Sequence, residues 1–187
     1  MLEKDAEKSK NVATIARTDE MFNRMCKKFK SKKTVWVACF RYFLKNGRYE
    51  KAHKLRKRSL MSLAPHKHVE AMSRYAQLEY EHGSSERART IYDGLLDKNT
   101  KRLDLLFVYV DKEVKHGTVD IARRIFQRAV KPSEGQTPFK FTDKQMKSLF
   151  KKWYRMEDEH GNEETQQDVK LAAKEYVDQS LSAKQKN

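Results

Sequence analysis

Basic side chains in the first third of the chain are the residues best suited to chemistry, and that chemistry is phosphate binding. One cluster lies within residues 24–33 and a second within residues 51–58. Lysine and arginine neutralise the phosphates of a nucleic acid and release its counterions, which drives binding with little dependence on base sequence. The candidate residues are Arg24, Lys27, Lys28, Lys30, Lys32, Lys33, Lys51, Lys54, Lys57 and Arg58.

The positive charge is concentrated at one end of the chain. The 187 residues carry a formal net charge of +15, with 41 Lys and Arg against 26 Asp and Glu. Residues 1–68 hold 19 basic and 6 acidic residues, so they account for +13 of that charge. This asymmetry favours a polyanionic partner over general solubility, and the alternative is a solvated basic arm without a specific partner. No apolar run reaches the roughly 18 residues that a membrane span needs.

The six histidines do not predict a metal site. Three of them, His82, His116 and His160, each precede a glycine, and these glycines are spaced 34 and 44 residues apart. A histidine at the end of a helix can bond the last carbonyls and interact with the helix dipole. Because the three recur along the chain, we expect them to lie well apart and to share no metal ion.

Catalytic motifs are not predicted either. Gly94 and Gly135 are isolated, so no glycine-rich phosphate loop can be assembled. Cys39 lies on a predicted core stripe, and Cys26 lies beside two lysines, which suggests reactivity without a mechanism. Two cysteines also exclude a disulfide framework and favour a reducing compartment. We therefore predict no catalytic residue, no metal, no cofactor and no small-molecule substrate.

Four of the six glycines close similar phrases, which indicates an internal repeat. They are spaced 36, 34 and 44 residues apart, at Gly47, Gly83, Gly117 and Gly161. Apolar or aromatic residues stand eight and eleven positions before each glycine, as Cys39, Tyr75, Tyr109 and Trp153 and as Trp36, Met72, Leu106 and Phe150. Glutamate stands four positions before the last three glycines, where we expect bonding between helices: Glu79, Glu113 and Glu157.

A second periodic segment follows each glycine. Alanine stands five positions after the first three glycines, as Ala52, Ala88 and Ala122, and Gln166 takes that place in the fourth unit. Small alanine lets two helices approach closely, so each unit is predicted to be helix, glycine turn, helix. Such hairpins bury their apolar faces by stacking, which predicts an all-α, right-handed solenoid of antiparallel helix pairs. An ordinary bundle with coincidental glycines is the alternative.

This pattern resembles the half-a-TPR (HAT) family of RNA-processing scaffolds. That family places an aromatic residue and Glu on helix A, then Ala, Ile or Leu, an aromatic residue and Arg on helix B. One unit matches it with Tyr109, Glu113, Ala122, Ile125, Phe126 and Arg128. The resemblance covers about residues 12–178, whereas Thr18 and Gln166 stand where the family has Ala.

A closer resemblance is to the C-terminal HAT domain of the ribosomal RNA-processing protein five family, called programmed cell death protein eleven in animals. Residues 33–36, 68–79 and 150–154 carry it. The resemblance implies a scaffold in pre-rRNA processing and subunit assembly, in the nucleolus, with pre-rRNA and assembly factors as partners. Members carry S1 repeats before the HAT repeats, and this chain has none, so the resemblance implies a fragment or a separately encoded tail.

The predicted domain organisation follows the repeats. A flexible charged segment is expected over residues 1–11 and a flexible tail over residues 179–187. Between them lies a HAT domain over residues 12–178, with a B-type helix at about 12–30 and a loop at 131–142 that Thr142 or Asp143 ends as helix N-cap. The four repeats are predicted at about 33–64, 67–97, 101–131 and 142–178.

Two other functions remain open at this point. One is a HAT module of another RNA-processing complex, in splicing or mRNA 3′-end formation, that binds only proteins. The other is a TPR-like adaptor that captures acidic peptides in a basic groove. A stable homodimer would favour the first, and tight binding of a short acidic peptide would favour the second.

Overall fold

The chain folds as antiparallel helix pairs, as the repeat predicts. A computed structural model describes the backbone of residues 2–185 and the side chains of residues 13–182. Within that part of the chain every regular element is helical, which confirms the all-α repeat class. The helices are α1 (Leu2–Lys28), α2 (Lys33–Lys45), α3 (Tyr49–Ser62), α4 (His68–His82), α5 (Ser85–Lys98), α6 (Leu103–His116), α7 (Val119–Val130), α8 (Asp143–His160) and α9 (Glu163–Gln185).

Two of these helices extend beyond their expected limits. A flexible segment is expected over residues 1–11, whereas α1 begins at Leu2, and α9 continues to Gln185 instead of ending near residue 178. Residues 2–11 and 179–185 are rich in good helix formers and contain neither glycine nor proline, so nothing in them stops a helix. Residues 1 and 186–187 lie outside the described backbone, and the domain limits themselves stay a prediction.

The first compact unit, Met1–Ala88, has its core between α1, α2, α3 and α4. Apolar positions three and four apart on α2 bury Trp36, Cys39 and Phe43, each at most 6% exposed. Ala52 of α3 is fully buried, and Phe40 lies against Tyr75 of α4 with ring centroids 4.6 Å apart. The predicted stripe is therefore the face that holds this unit together.

The second compact unit, Arg89–Asn187, repeats the arrangement with aromatic pairs between its helices. Tyr92 of α5 stacks on Tyr109 of α6 at 4.8 Å, and Phe126 of α7 stacks on Trp153 of α8 at 5.6 Å. Fully buried Ala122 allows the close approach of α7. Offset stacking adds to the area burial of such large side chains.

The long connection before α8 ends in a specific cap. The Thr142 hydroxyl accepts a bond from the Gln145 N–H, and the Gln145 side chain accepts one from the Thr142 N–H at 3.0 Å, which completes a capping box. The N-cap is therefore Thr142 and not Asp143. The connection also contacts the turn before α6, since the Lys140 N–H donates to the Thr100 carbonyl at 3.0 Å.

A buried glutamate joins each later helix A to the helix B before it. Each carboxylate is at most 1% exposed and bonds a basic residue that stands six positions after the preceding glycine. The pairs are His53 Nε2 with Glu79 Oε1 (3.0 Å), Arg89 Nε with Glu113 Oε1 (2.7 Å) and Arg123 Nη2 with Glu157 Oε2 (2.9 Å). This confirms the expected bonding between helices and fixes the register of successive hairpins. We call these pairs the glutamate locks.

The turn glycines serve two different purposes. Gly47 has φ +66°, a left-handed conformation that side chains disfavour. The other three have negative φ but lie against a lock carboxylate. A Cβ at Gly83, Gly117 or Gly161 would be 2.1, 1.8 or 2.4 Å from the Oε2 atom of its own glutamate. Glycine and glutamate therefore recur together because each fits the other.

Candidate nucleic-acid interface

Helix α1 is held against α3 by polar contacts. Asp19 of α1 accepts bonds from the Arg48 guanidinium and from Lys51 Nζ, the latter at 2.6 Å. One turn further along α1, Asn23 Oδ1 accepts from Arg58 at 3.3 Å. Lys27 lies one turn beyond Asn23 on the same face of the helix. The two predicted basic clusters are therefore neighbours.

Asp19 makes the docking of α1 dependent on pH. Its hydrogen bonds from Arg48 lower the pKa of the carboxyl below the usual 3.8. A carboxyl with a lowered folded pKa stabilises fully above its unfolded value and loses that contribution as the pH falls through the folded value. We expect Asp19→Asn to destabilise the protein at pH 7 and to do so progressively less below about pH 4. Urea unfolding of both proteins from pH 7 to pH 3 measures this; a constant difference would contradict it.

Three of the ten candidate residues already have partners on other helices. Lys33 pairs with Glu70, and Lys51 pairs with Asp19. The Arg58 guanidinium lies 5.3 Å from the centre of the Trp36 ring, in addition to its contact with Asn23 on α1. These three side chains contribute to packing between helices, so their charges are less available to a ligand. The remaining seven are exposed: Arg24, Lys27, Lys28, Lys30, Lys32, Lys54 and Lys57.

The turn between α1 and α2 carries two of these lysines, and two side chains bond its backbone. The Trp36 indole N–H donates to the Lys30 carbonyl at 2.9 Å, and Lys67 Nζ donates to the Ser31 carbonyl at 2.9 Å. Phe29 in the same turn is 41% exposed. These contacts fix the backbone of a strongly basic turn, so its charges are presented together.

Sequence reasoning missed Phe29 and Lys67 as parts of this surface. Phe29 stands off the apolar stripe and within a run of lysines, which is the signal that could have identified it. An exposed aromatic ring among basic residues is suited to stacking on a base. Lys67 lies outside both clusters in the sequence, and only its contact with Ser31 places it beside the turn.

The two cysteines form a buried pair beneath the basic surface. Cys26 Sγ and Cys39 Sγ are 3.7 Å apart, and both side chains are at most 1% exposed. The hydrogen bond with Cys39 lowers the pKa of the Cys26 thiol to about 7 against the opposing effect of burial, with Arg58 assisting. Bonding to Cys26 and burial raise the pKa of Cys39. The pKa of the Cys26 thiol is therefore lowered by Cys39 and Arg58, and not by the adjacent lysines.

Two of the histidines make polar contacts within the first unit. His53 belongs to the first glutamate lock, and His68 Nε2 lies 2.8 Å from the Leu63 carbonyl. No group of three potential metal ligands occurs among the side chains that the structure describes. Over the same residues, no helix is long and apolar enough to cross a membrane.

Comparison with known families decides the classification. A family model described as the C-terminal HAT repeat of the pre-mRNA-splicing factor Syf1/CRNKL1 matches residues 20–146. The chain belongs to the HAT-repeat family. The matched region includes the glutamate locks of Glu79 and Glu113, together with both basic clusters. The HAT-repeat family is one of scaffold and adaptor proteins.

Similar full-length proteins carry names from ribosome production. The chain is 40% identical over 164 residues to the rRNA biogenesis protein rrp5 of Schizosaccharomyces pombe. It is 35% identical over 164 residues to the Protein RRP5 homolog of Mus musculus and to the rRNA biogenesis protein RRP5 of Arabidopsis thaliana. Each alignment covers 88% of this chain and only 8–9% of the relative. The HAT repeats therefore correspond to a small part of those proteins.

Proposed function

We propose that this chain is a non-enzymatic HAT scaffold in ribosome biogenesis, serving pre-rRNA processing and assembly of the small and large subunits. Its helix pairs bind other pre-ribosomal assembly factors, and the basic surface of its first unit binds pre-rRNA. The names of relatives at 35–40% identity support the process. That process takes place in the nucleolus, which is the proposed location.

The observation that carries the RNA-binding proposal is the exposed basic surface of α1, the following turn and α3. We call the seven exposed candidates the α1–α3 patch. Asp19 of α1 already bonds Arg48 and Lys51. The exposed Glu20 and Glu50 each lie one helical turn before a patch residue, Arg24 and Lys54, so they offset part of the patch charge and leave it basic. The turn is fixed by Trp36, and Phe29 adds an exposed ring. Exposed cations beside an aromatic ring suit the binding of a single-stranded nucleic acid.

The mechanism is retention through phosphates with little base readout. Lysine ammonium groups act as point charges, so they contact phosphates without selecting a sequence. Selectivity would come from Phe29 stacking and from the partner proteins. We therefore expect weakly selective binding that falls steeply as salt increases.

Charge reversal tests the patch. The variant Lys27→Glu, Lys28→Glu, Lys54→Glu, Lys57→Glu avoids the three candidates that have partners on other helices; Lys28 contacts only the ring of its neighbour Phe29. We expect its affinity for a pre-rRNA fragment to fall by more than about tenfold at moderate salt. The slope of log K against log salt should flatten by about 0.7 for each lost phosphate contact. Fluorescence anisotropy over a salt series measures both quantities.

The matched control reverses four exposed lysines of the second unit with the same total charge change: Lys98, Lys115, Lys144 and Lys174. We expect this control to retain most of the affinity and nearly the full salt slope. Equal losses in the two variants would show that net charge alone, and not the patch, governs binding. Circular dichroism of both variants establishes that the helices persist.

The matching family model is described from a splicing factor, which favours one alternative: a HAT module of a splicing complex. A HAT module of that kind would act through protein contacts alone, as a stable homodimer. Sedimentation velocity separates the two: a monomer whose RNA binding depends on the α1–α3 patch supports the proposal. A dimer with no patch-dependent RNA binding would support the alternative.

A further inference from the structure

Helices α8 and α9 enclose an open apolar groove of about 680 Å³. Phe150 and Tyr154 line it from α8, and Val169 and Val177 line it from α9. Leu181 of α9 also lines it; this residue is 55% exposed, and Val177 is 51% exposed. Exposed apolar side chains in one concave surface mark an interaction site more strongly than scattered ones do.

Earlier repeats show what covers the corresponding surface. The residue seven positions before the turn glycine is Phe40 in α2, which is fully buried against Tyr75 of α4. In the second unit the same position is Val110 of α6, which is 1% exposed. Helix α8 lies beside it, since Lys152 Nζ is 2.6 Å from Asp111 and 4.9 Å from the centre of the Phe107 ring.

The same position in the fourth repeat is Tyr154, which is half-buried and lines the groove. The groove therefore has the place that a following helix takes in the earlier repeats. Its occupant should be a single α-helix with one apolar stripe, because that is the shape that the groove shares with the covered repeats.

The residue at the lock position of α9 distinguishes this occupant from another HAT repeat. The lock position six residues after the turn glycine is Gln167, where earlier repeats have His53, Arg89 or Arg123. A buried helix A glutamate would find no cationic partner there, which is costly.

Instead, the charges lie at the rim of the groove. Lys147 and Lys151 of α8 and Lys170 of α9 line it and are exposed, whereas Asp143 is the one acid among the described residues that line it. A basic rim around an apolar floor complements a helix with acidic flanks. It also disfavours a symmetric contact with the same groove of a second copy, because Lys147, Lys151 and Lys170 would then face their own counterparts.

We propose that the α8–α9 groove binds an amphipathic α-helix of a partner protein whose apolar stripe is flanked by Asp and Glu. The inference rests on the proposed scaffold role, because it names one of the surfaces through which the scaffold would act. It concerns residues far in sequence from the α1–α3 patch, so the two can fail separately.

The test uses the full chain and three fluorescent peptides of about 18 residues. The first has leucines at helical spacing with Glu on both flanks, the second has Lys on those flanks, and the third is a scramble of the first. We expect the Glu-flanked peptide to bind at least about tenfold more tightly than the other two. Lys147→Glu with Lys151→Glu should reduce or reverse the preference for Glu.

The apolar floor is tested with two leucines of α9 that are exposed to nearly the same extent. Leu181 is 55% exposed and lines the groove, whereas Leu171 is 53% exposed and does not. We expect Leu181→Asp to weaken binding of the Glu-flanked peptide by about tenfold or more, and Leu171→Asp to leave it nearly unchanged. The two variants introduce the same substitution on the same helix, so they differ only in whether the residue lines the groove.

Three results would overturn the inference. Equal binding of the Glu-flanked and Lys-flanked peptides would remove the acidic helix as the occupant. Equal effects of Leu181→Asp and Leu171→Asp would remove the groove as its site. A wild-type dimer in sedimentation velocity that Leu181→Asp alone dissociates would assign the groove to a second copy. Patch-dependent RNA binding would survive each of these results, so the proposed function is judged independently.

Discussion

Replacing Glu113 with alanine is expected to destabilise the protein by about 3–5 kcal/mol, the range for removing one partner of a buried ion pair. Glu113 is fully buried and accepts two bonds from Arg89, at 2.7 and 3.1 Å. It also accepts the Thr118 N–H at 3.3 Å, at the start of α7. The Arg89 side chain keeps 24% of its surface exposed, which places the expected cost toward the lower end.

A comparison with an exposed ion pair shows that burial is the cause. Arg102 and Asp104 form a bond at 2.7 Å, but their side chains are 49% and 63% exposed. Asp104→Ala should therefore cost no more than about 1 kcal/mol. Urea unfolding at pH 7, followed by circular dichroism, measures both variants. A cost for Glu113→Ala no larger than that for Asp104→Ala would contradict the structural role of the lock.

The fit between glutamate and glycine gives a sharper test of the same lock. A Cβ at position 117 would lie 1.8 Å from Glu113 Oε2, so Gly117→Ala must displace the carboxylate from its partners. Because both substitutions act on the same carboxylate, the double variant should cost at least about 1 kcal/mol less than the sum of the single ones. Additive costs would show that the glycine is required for another reason.

The repeat and its locks were largely predictable from the sequence, because their determinants are local. Helical spacing identifies the buried stripe, and glutamate four residues before glycine marks one side of each lock. The basic partner was missed as such: His53, Arg89 and Arg123 stand 24–34 residues before their glutamates. Only the packing of one hairpin on the next brings them together.

The candidate interface was predictable in its charge and not in its contacts. Clustering of lysine in the sequence identifies the region, because a run of like charges favours solvent. It does not reveal that Lys33, Lys51 and Arg58 bond residues 37, 32 and 35 positions away. Those partners lie on other helices, so only the folded structure shows which of the basic side chains are exposed. Phe29 escaped notice because it belongs to no stripe.

Trp36 joins the core of the first unit to the basic turn, so its substitution is expected to affect both. Its side chain is 1% exposed, and Trp36→Ala should cost about 3–5 kcal/mol through lost burial and the cavity left behind. Trp36→Phe keeps most of the burial but removes the bond to the Lys30 carbonyl, which should cost about 1 kcal/mol. Urea unfolding monitored by circular dichroism measures both costs, and a loss for Trp36→Ala no larger than that for Trp36→Phe would contradict the core role.

The phenylalanine variant separates positioning from stability. With the Lys30 carbonyl released, the turn that carries Phe29, Lys30 and Lys32 should exchange its amide hydrogens faster, and RNA affinity should fall by several-fold. Trp153→Phe is the matched control, since the Trp153 indole also donates a bond, to Glu157 Oε1 at 3.2 Å, but lies in the second unit. An equal loss of RNA affinity in the two variants would show that general destabilisation is responsible. A loss confined to Trp36→Phe would mean that the fixed turn, and not charge alone, contributes to RNA binding.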